Sequence, residues 1–379
     1  MRVLHIGKYF PPFNGGIENF MADLVLATTP LGVDVSAVVH HSPDAPKHVT
    51  REHWHGTAIH RVPSYGQIAY APISPAFPWA LRRAISTERP DVLHVHMPNT
   101  SAFWLLGLPA ARRLPWVVHW HADVVGPGME EKLRRLYPFY RPLEQTLLRR
   151  ADAIVATSPD YLSSSEALAR WRSKAEVIPL GLPLERVSAD ADGMPWQYPE
   201  RLKVLCVGRL SKYKGIDRLI EAAERVSGLE VVVVGDGEEK PSLQALAQGG
   251  DGRSSIRLAG RVTDAERNAL MASCDVLCLP SLNRAEAFGV VLLEAMALGR
   301  PAIVSRVPGS GMSWVVRDGE TGWHVPPGDS AALAERLALL RDQPELLAPA
   351  GRAARARFDA EFRIDRIAAQ VSALYRTLA

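Results

Sequence analysis

Short, wholly apolar runs alternate along this chain with longer stretches in which apolar residues recur every three or four positions. The runs read as buried strands. In the first half they are Val3–Ile6, Val35–Val39, Ala58–Val62, Val92–Val95, Trp116–His119 and Ala153–Ala156. In the second half they are Val204–Val207, Glu230–Val234, Ile256–Leu258, Val276–Leu279, Ala302–Val304 and Gly322–Val325. Helical spacing lies between them, for example over Ile17–Ala27, Ile216–Val226, Asp264–Ser273 and Ala331–Leu340. Strands this apolar, each followed by a helix, predict parallel sheets covered on both faces. Two such sets predict an α/β protein of two doubly wound domains, 1–182 and 202–360. The stretch between them, 183–201, holds Pro183, Pro195 and Pro199 among polar residues, lacks a period, and reads as a linker. The last segment, 361–379, is amphipathic. Ile364, Ile367, Ala368, Val371, Leu374 and Tyr375 share one side, so it must dock against something.

Composition narrows the classes. The 379 residues suit two ordinary domains, and 47% hydrophobic content gives each a core. A net charge of +3 argues against wholesale nucleic-acid binding. Cys206, Cys274 and Cys278 form no CxxC pair, and they read as small buried hydrophobes of a reducing compartment. The opening run of MRVLHIGKYFPP is too short for a signal peptide, and no run approaches the roughly 20 apolar residues of a membrane span. These features predict a cytoplasmic protein, in contact with the inner face of the cell membrane at most peripherally.

In open parallel sheets, ligands bind beyond the carboxyl ends of the strands, which reduces the chain to a few loops. After the first strand, Gly15 and Gly16 precede a helix start and allow close backbone approach to an anion. The spacing is not the GxGxxG of dinucleotide sites. His94-Val95-His96 and His119-Trp120-His121 each place two histidines on one face of a strand. Such pairs suit sugar hydroxyls. Zinc would want a third ligand, a part Asp123 could take. His121 lies furthest out and is the better candidate for substrate contact. In the second half, GRLSKYKG follows a strand and carries Arg209, able to bind bidentately, and Lys214, a compact charge; together they would neutralise a diphosphate. Gly235, in the Gly235-Asp236-Gly237 turn, lies on the same edge, and Arg261 and Val262 could offer groups to a base. The stretch PSLNRAEAFGVVLLEAMALG, 280–299, places Glu286 in a loop and Glu294 inside a helix whose start, Phe288, Gly289, Val290 and Val291, offers free N–H groups. Asp190-Ala191-Asp192 has the DxD form of a metal site, but it lies in the linker and reads as solvated. Lys132, Arg134, Arg135, Arg141, Arg149 and Arg150 interleave with apolar residues over 130–150. They form a candidate basic amphipathic surface for anionic lipid, with Pro138 and Pro142 expected to break the helix.

This order of features resembles the retaining glycosyltransferases of the GT-B fold, family 4, over nearly the whole chain: a glycine pair, a histidine after strand five, GRLSKYKG, GDG, then EAFGVVLLEAMALG. The resemblance implies two facing Rossmann-like domains with a deep cleft, the first for the acceptor and the second for the nucleotide sugar. It also implies that the terminal helix returns to the first domain. By the same likeness Arg209 and Lys214 bind the donor diphosphate, Glu294 the ribose, and Glu286 the transferred sugar. The N–H groups of Phe288 to Val291 hold sugar and phosphates, Gly15 and Gly16 meet the phosphates, and His121 touches the sugar near its reacting end. Front-face attack without a protein nucleophile, metal or cofactor is implied. The pattern continues through Ser310–Trp314 and Gly319–Asp329, which is similar to mannosyltransferases of polysaccharide and lipopolysaccharide assembly. That leans towards GDP-mannose or GDP-rhamnose over UDP-sugars, with a glycan or polyprenyl-linked acceptor. An epimerase or phosphorylase of the same architecture, and a silent nucleotide-sugar binder, are the competing expectations.

Overall fold

In the computed structural model the described residues are 1–13, 15–42, 46–68, 71–124, 131–187, 196–249 and 252–379, with the side chains of 131 and 132 excepted. Asp190 to Asp192, Pro195 and the side chain of Lys132 therefore lie outside the described residues. The chain divides into two compact units, Met1–Gly181 with Ile364–Ala379, and Leu182–Arg363.

In unit 1 eight strands form one sheet. The order across it is Ala175–Val177, Ala153–Ala156, Trp116–Trp120, Val92–Met97, Arg2–Ile6, Asp34–His40, Thr57–Val62, Thr50–Trp54. All pairings are parallel except the last, where Thr50–Trp54 runs antiparallel to Thr57–Val62. That edge strand was not legible as an apolar run because three of its five residues are exposed and polar. The chain leaves Arg2–Ile6 in one direction to Asp34–His40 and returns on its other side as Val92–Met97. The switch point of the sheet therefore lies between Arg2–Ile6 and Val92–Met97. The terminal helix Ile364–Leu378 packs its apolar stripe, Ile367, Ala368, Val371 and Tyr375, out of solvent beside the helix Gly16–Thr28.

Unit 2 carries six parallel strands in the order Ser255–Gly260, Leu229–Val234, Leu202–Val207, Val276–Leu279, Ala302–Ser305, Gly322–Val325. In chain order this is 3-2-1-4-5-6, the arrangement of dinucleotide-type sheets, with its switch point between Leu202–Val207 and Val276–Leu279. Val204, Val231, Val276 and Ile303 from four of these strands share a core with Leu219 and Ile220 from the helix Ile216–Glu224 and Leu337 from the helix Ser330–Asp342. Cys206, Cys274 and Cys278 are buried, and burial pushes the first two thiols up to about 12. The proline-bearing stretch after Gly181 divides with unit 2: the Glu230 carboxylate accepts the N–H groups of Gln197 and Tyr198, each at 2.8 Å.

One sequence expectation is overturned. Pro138 and Pro142 do not interrupt the basic segment; Glu131–Arg150 is a single helix of 20 residues with both prolines inside it. A proline removes an N–H and frees the carbonyl four residues earlier. Both prolines are on the exposed face, where water serves the freed carbonyls, so continuation costs less than it would in a core.

Candidate functional site

The switch point of unit 2 is where two loops converge. Leu202–Val207 runs out through Gly208 and Arg209 into a single tight turn, Lys212–Lys214, and then the helix Ile216–Glu224. Val276–Leu279 runs out through Pro280 into the loop that carries Glu286. Gly215 decides how near the loops come. Its φ is +65°, and a Cβ there would lie 2.2 Å from the carbonyl oxygen of Pro280. Only glycine permits that approach. The contact is closed by the Leu282 N–H, which donates to the Tyr213 carbonyl at 2.7 Å. As a result Lys214 Nζ donates to Glu286 Oε2, with each side chain only 12% exposed. Burial alone would lower the lysine, but the Glu286 carboxylate and then Tyr213 outweigh it and hold the ammonium firmly charged.

The Glu286 loop is fastened from behind. Ser310 Oγ donates to the Glu286 carbonyl at 2.5 Å, and the Gly311 N–H donates to the Ala287 carbonyl at 2.7 Å. Phe288 is buried against Trp314 and Phe362. Gly289, at φ +79°, then turns the chain into the helix Val290–Ala297. Because the N-cap is glycine, no side chain caps the first turn, and Val290 and Val291 sit half-buried at the positive end of the helix. One turn on, Glu294 is 9% exposed. Burial raises its pKa, and Arg267 and Arg186 partly offset the rise; Arg267 Nε stands 3.9 Å from its carboxylate. These two arginines had no signal in the sequence pattern, since Arg186 comes from the stretch read as a linker.

Lys214 and Glu286 are therefore together, and Glu294 follows on the helix that the same loop opens. Arg209 and Arg261 are not brought to them. Arg209 is 62% exposed and bonds Glu238 at 3.1 Å, and Arg261 is 85% exposed and lies 3.3 Å from Asp236. Gly235 sits between, its N–H donating to the Gly260 carbonyl at 2.8 Å, with Val262 half-buried beyond.

In unit 1 Gly15 is the extended N-cap of the helix Gly16–Thr28. The helix start is already occupied by an acid: a Cβ on Gly15 would meet the Glu18 carboxylate at 2.2 Å. Burial raises the Glu18 pKa, and Lys8 draws it back. The histidines collect at this unit's own switch point. His5, His94, His96, His119 and His121 are all buried at the carboxyl ends of three neighbouring strands. Burial holds every ring neutral, His5 falling to about 3 and the other four well below the usual range. Asp123 is held by other side chains. Its Oδ1 accepts Trp120 Nε1–H at 2.8 Å and Ser165 Oγ–H at 2.6 Å. His5 was not singled out by sequence, since a lone histidine in a first strand carries no motif, and Tyr375 was legible only as part of an apolar stripe, not as a hydroxyl bonded to histidines.

Beside this cluster a cavity of about 970 Å³ opens in unit 1, lined largely by apolar and aromatic side chains, among them Phe103, Trp104, Leu136, Phe139 and Leu143. Phe139 is 79% exposed. In its wall Tyr137 donates to Glu144 at 2.8 Å, and burial pushes the Glu144 carboxyl up to about 7. Among the described residues no helix is long and apolar enough to cross a membrane.

Two family descriptions match the sequence, one to each half: "Glycosyl transferase 4-like domain" over 15–181 and "Glycosyl transferases group 1" over 196–357. The chain is 33% identical to the O-antigen chain mannosyltransferase C of Escherichia coli, across 100% of this chain and 99% of that protein. It is 32% identical to the phosphatidyl-myo-inositol mannosyltransferase of Mycobacterium leprae, across 100% and 97%. Among solved structures, the sucrose-phosphate synthase of Thermosynechococcus elongatus is similar at a TM-score of 0.79 and 25% identity, covering 100% of this chain and 98% of that one.

Proposed function

Because this chain belongs to the GT-B glycosyltransferases of family 4, we propose that it moves a mannose-type hexose from a nucleoside-diphosphate donor to a glycan or lipid-linked acceptor, with retention at the anomeric carbon. The observation that carries this reading is the meeting of Lys214 and Glu286 at the switch point of a 3-2-1-4-5-6 sheet, where ligands of such sheets bind. A half-buried ammonium that stays charged suits a departing diphosphate, whose negative charge grows as the bond to the sugar breaks. The uncapped first turn at Val290 and Val291 adds N–H donors on the same loop. Glu294, whose carboxyl pKa is raised by burial, is proposed to accept from ribose hydroxyls.

In this scheme the C1–O bond to the β-phosphate breaks, and its electrons go to the diphosphate. The acceptor oxygen bonds C1 on the face the diphosphate leaves, and the acceptor proton passes to a departing phosphate oxygen. No protein nucleophile, metal or cofactor takes part. Arg209 is proposed to exchange Glu238 for phosphate, and Arg261 with Val262 to flank the base. In unit 1, Gly15 and Gly16 are proposed to approach phosphate and His121 to contact the sugar. Relatives named as an O-antigen chain mannosyltransferase and as a phosphatidyl-myo-inositol mannosyltransferase support mannose as the sugar moved; GDP is proposed as its carrier. The apolar cavity beside the basic helix Glu131–Arg150 supports a lipid-linked acceptor and peripheral contact with an anionic membrane.

The test is donor turnover. GDP-mannose, GDP-rhamnose, UDP-glucose and UDP-galactose are compared by release of the nucleoside diphosphate in the presence of polyprenyl-linked acceptors. GDP release above UDP release is expected; turnover of UDP-sugars alone overturns the mannose-type assignment.

A further inference from the structure

The five buried histidines of unit 1 and Tyr375 of the terminal helix are joined end to end. His121 Nε2 meets His96 Nδ1 at 2.9 Å, and His96 Nε2 meets His5 Nδ1 at 2.9 Å. His5 Nε2 meets Tyr375 Oη at 3.3 Å, Tyr375 Oη is bonded to His94 Nδ1, and His94 Nε2 meets His119 Nδ1 at 3.3 Å. The centroids of His96 and His121 lie 5.2 Å apart at 9° between planes, and those of His94 and His119 5.4 Å apart at 15°. Nearly coplanar rings meeting nitrogen to nitrogen are well aligned for these bonds. The two free ends, His121 Nδ1 and His119 Nε2, are buried and have no partner among the described residues.

Two groups of three of these histidines are close enough to suggest a metal ion. Ring orientation speaks against it. An ion must lie in the plane of every imidazole that binds it, yet His119 and His121 are stacked at 4.3 Å and 4° apart, and His94 and His96 at 4.6 Å and 2°. Parallel stacked planes share no point, so neither group converges on one ion as arranged.

Counting hydrogens gives the consequence. A neutral imidazole carries one N–H and one acceptor nitrogen. Six groups hold six hydrogens, and five links use five. If His121 donates from Nε2, then His96 and His5 must do the same in turn, Tyr375 donates to His94, and His119 ends as an Nε2–H. All five rings are then Nε2–H tautomers, and His121 Nδ1 is a bare acceptor. In the opposite sense all five are Nδ1–H tautomers, and His121 Nδ1 is a donor. One hydrogen is left over in every arrangement: in the two unidirectional chains it lies at an end, on His119 Nε2 or on His121 Nδ1, whereas Tyr375 accepting from both sides would leave it on a fully buried hydroxyl already enclosed by two donors, where no ligand could take it.

We propose that these six side chains act as one unidirectional chain, so that His5, His94, His96, His119 and Tyr375 are positioning residues that together set whether His121 Nδ1 donates to or accepts from a ligand hydroxyl. That the hydroxyl belongs to a sugar rests on the proposed function; the coupling of the rings does not. The chain links the terminal helix, through Tyr375, to the polarity of a binding group on the sheet. Phe20, T-shaped to both His119 and His121, closes the cluster from the helix that follows Gly15 and Gly16.

The test is nitrogen NMR of the intact protein labelled at histidine nitrogens, at neutral pH without ligand. All five rings are expected neutral and in the same tautomer, whichever it is, or exchanging between the two as one set. A mixture of Nε2–H and Nδ1–H forms among them, or an imidazolium, overturns the proposal. Tyr375→Phe cuts the chain between His5 and His94, and the two parts are then expected to lose their common tautomer; an unchanged spectrum also overturns it. In the transfer assay Tyr375→Phe is expected to lower turnover about five- to tenfold, the worth of one hydrogen bond, with the Kd for GDP unchanged. Turnover at the wild-type level removes the link to His121. Absence of turnover in the wild type would contradict the proposed function and leave the NMR result standing or falling by itself.

Discussion

Replacing Lys214 by methionine separates a structural from a chemical role for the half-buried ion pair. The change keeps an unbranched side chain one heavy atom shorter and removes the charge together with the N–H donors that bond Glu286. Glu286, with its side chain 12% exposed, is left without its cation. Breaking a buried pair from one side costs about 3–5 kcal/mol. In a unit of about 180 residues each kcal/mol moves Tm by roughly 2–4 °C, so unit 2 should melt about 10 °C lower in Lys214→Met. Adding Glu286→Gln removes the orphaned charge, and most of that loss should return. Calorimetry of the wild type, both single variants and the double variant gives the coupling energy. The same four proteins are then assayed for sugar transfer. A group that stabilises the departing diphosphate is worth about 10²–10³ in turnover, and that loss should persist in the double variant after its stability has recovered. Wild-type turnover in a folded Lys214→Met protein refutes the diphosphate role. A double variant as unstable as the single one refutes the charge-pair account of the site.

Two further outcomes follow from buried carboxylates. Glu294→Ala should weaken GDP binding at least tenfold by titration calorimetry, and an unchanged Kd contradicts the ribose assignment. Glu144, pushed up to about 7 by burial, keeps its proton in the folded protein after the unfolded chain has lost its own. Stability is therefore lost as pH rises from about 4 to about 7 and stays reduced above that. Glu144→Gln should raise stability at pH 8 by about 3 kcal/mol and by much less at pH 4.5; a gain independent of pH rules out the titration of this group.

Most of the fold was legible because its signal is local. Val276–Leu279 is apolar at every position and short, and the helix Asp264–Ser273 opens with Thr263 and Glu266 as a capping box, so each end announced itself. The exceptions have physical causes. Thr50–Trp54 is an exposed edge strand without an apolar face, and Pro138 and Pro142 are tolerated because water reaches the carbonyls they free. In the site, Gly215 and Glu286 were visible as residue types at strand ends. The closeness of their loops depends on a contact between Gly215 and Pro280, 65 residues apart, which no local pattern carries. The arginines beside Glu294 were hidden likewise, as was the join of Tyr375 to His5 across nearly the full length of the chain.

The central claim is that the Lys214–Glu286 corner of unit 2 holds the diphosphate of an activated sugar. A crystal structure of the chain with GDP-mannose tests it most directly. The account predicts the β-phosphate within hydrogen-bond reach of Lys214 Nζ and the ribose hydroxyls on the Glu294 carboxylate. A nucleotide bound elsewhere, with Lys214 still closed on Glu286, would contradict it.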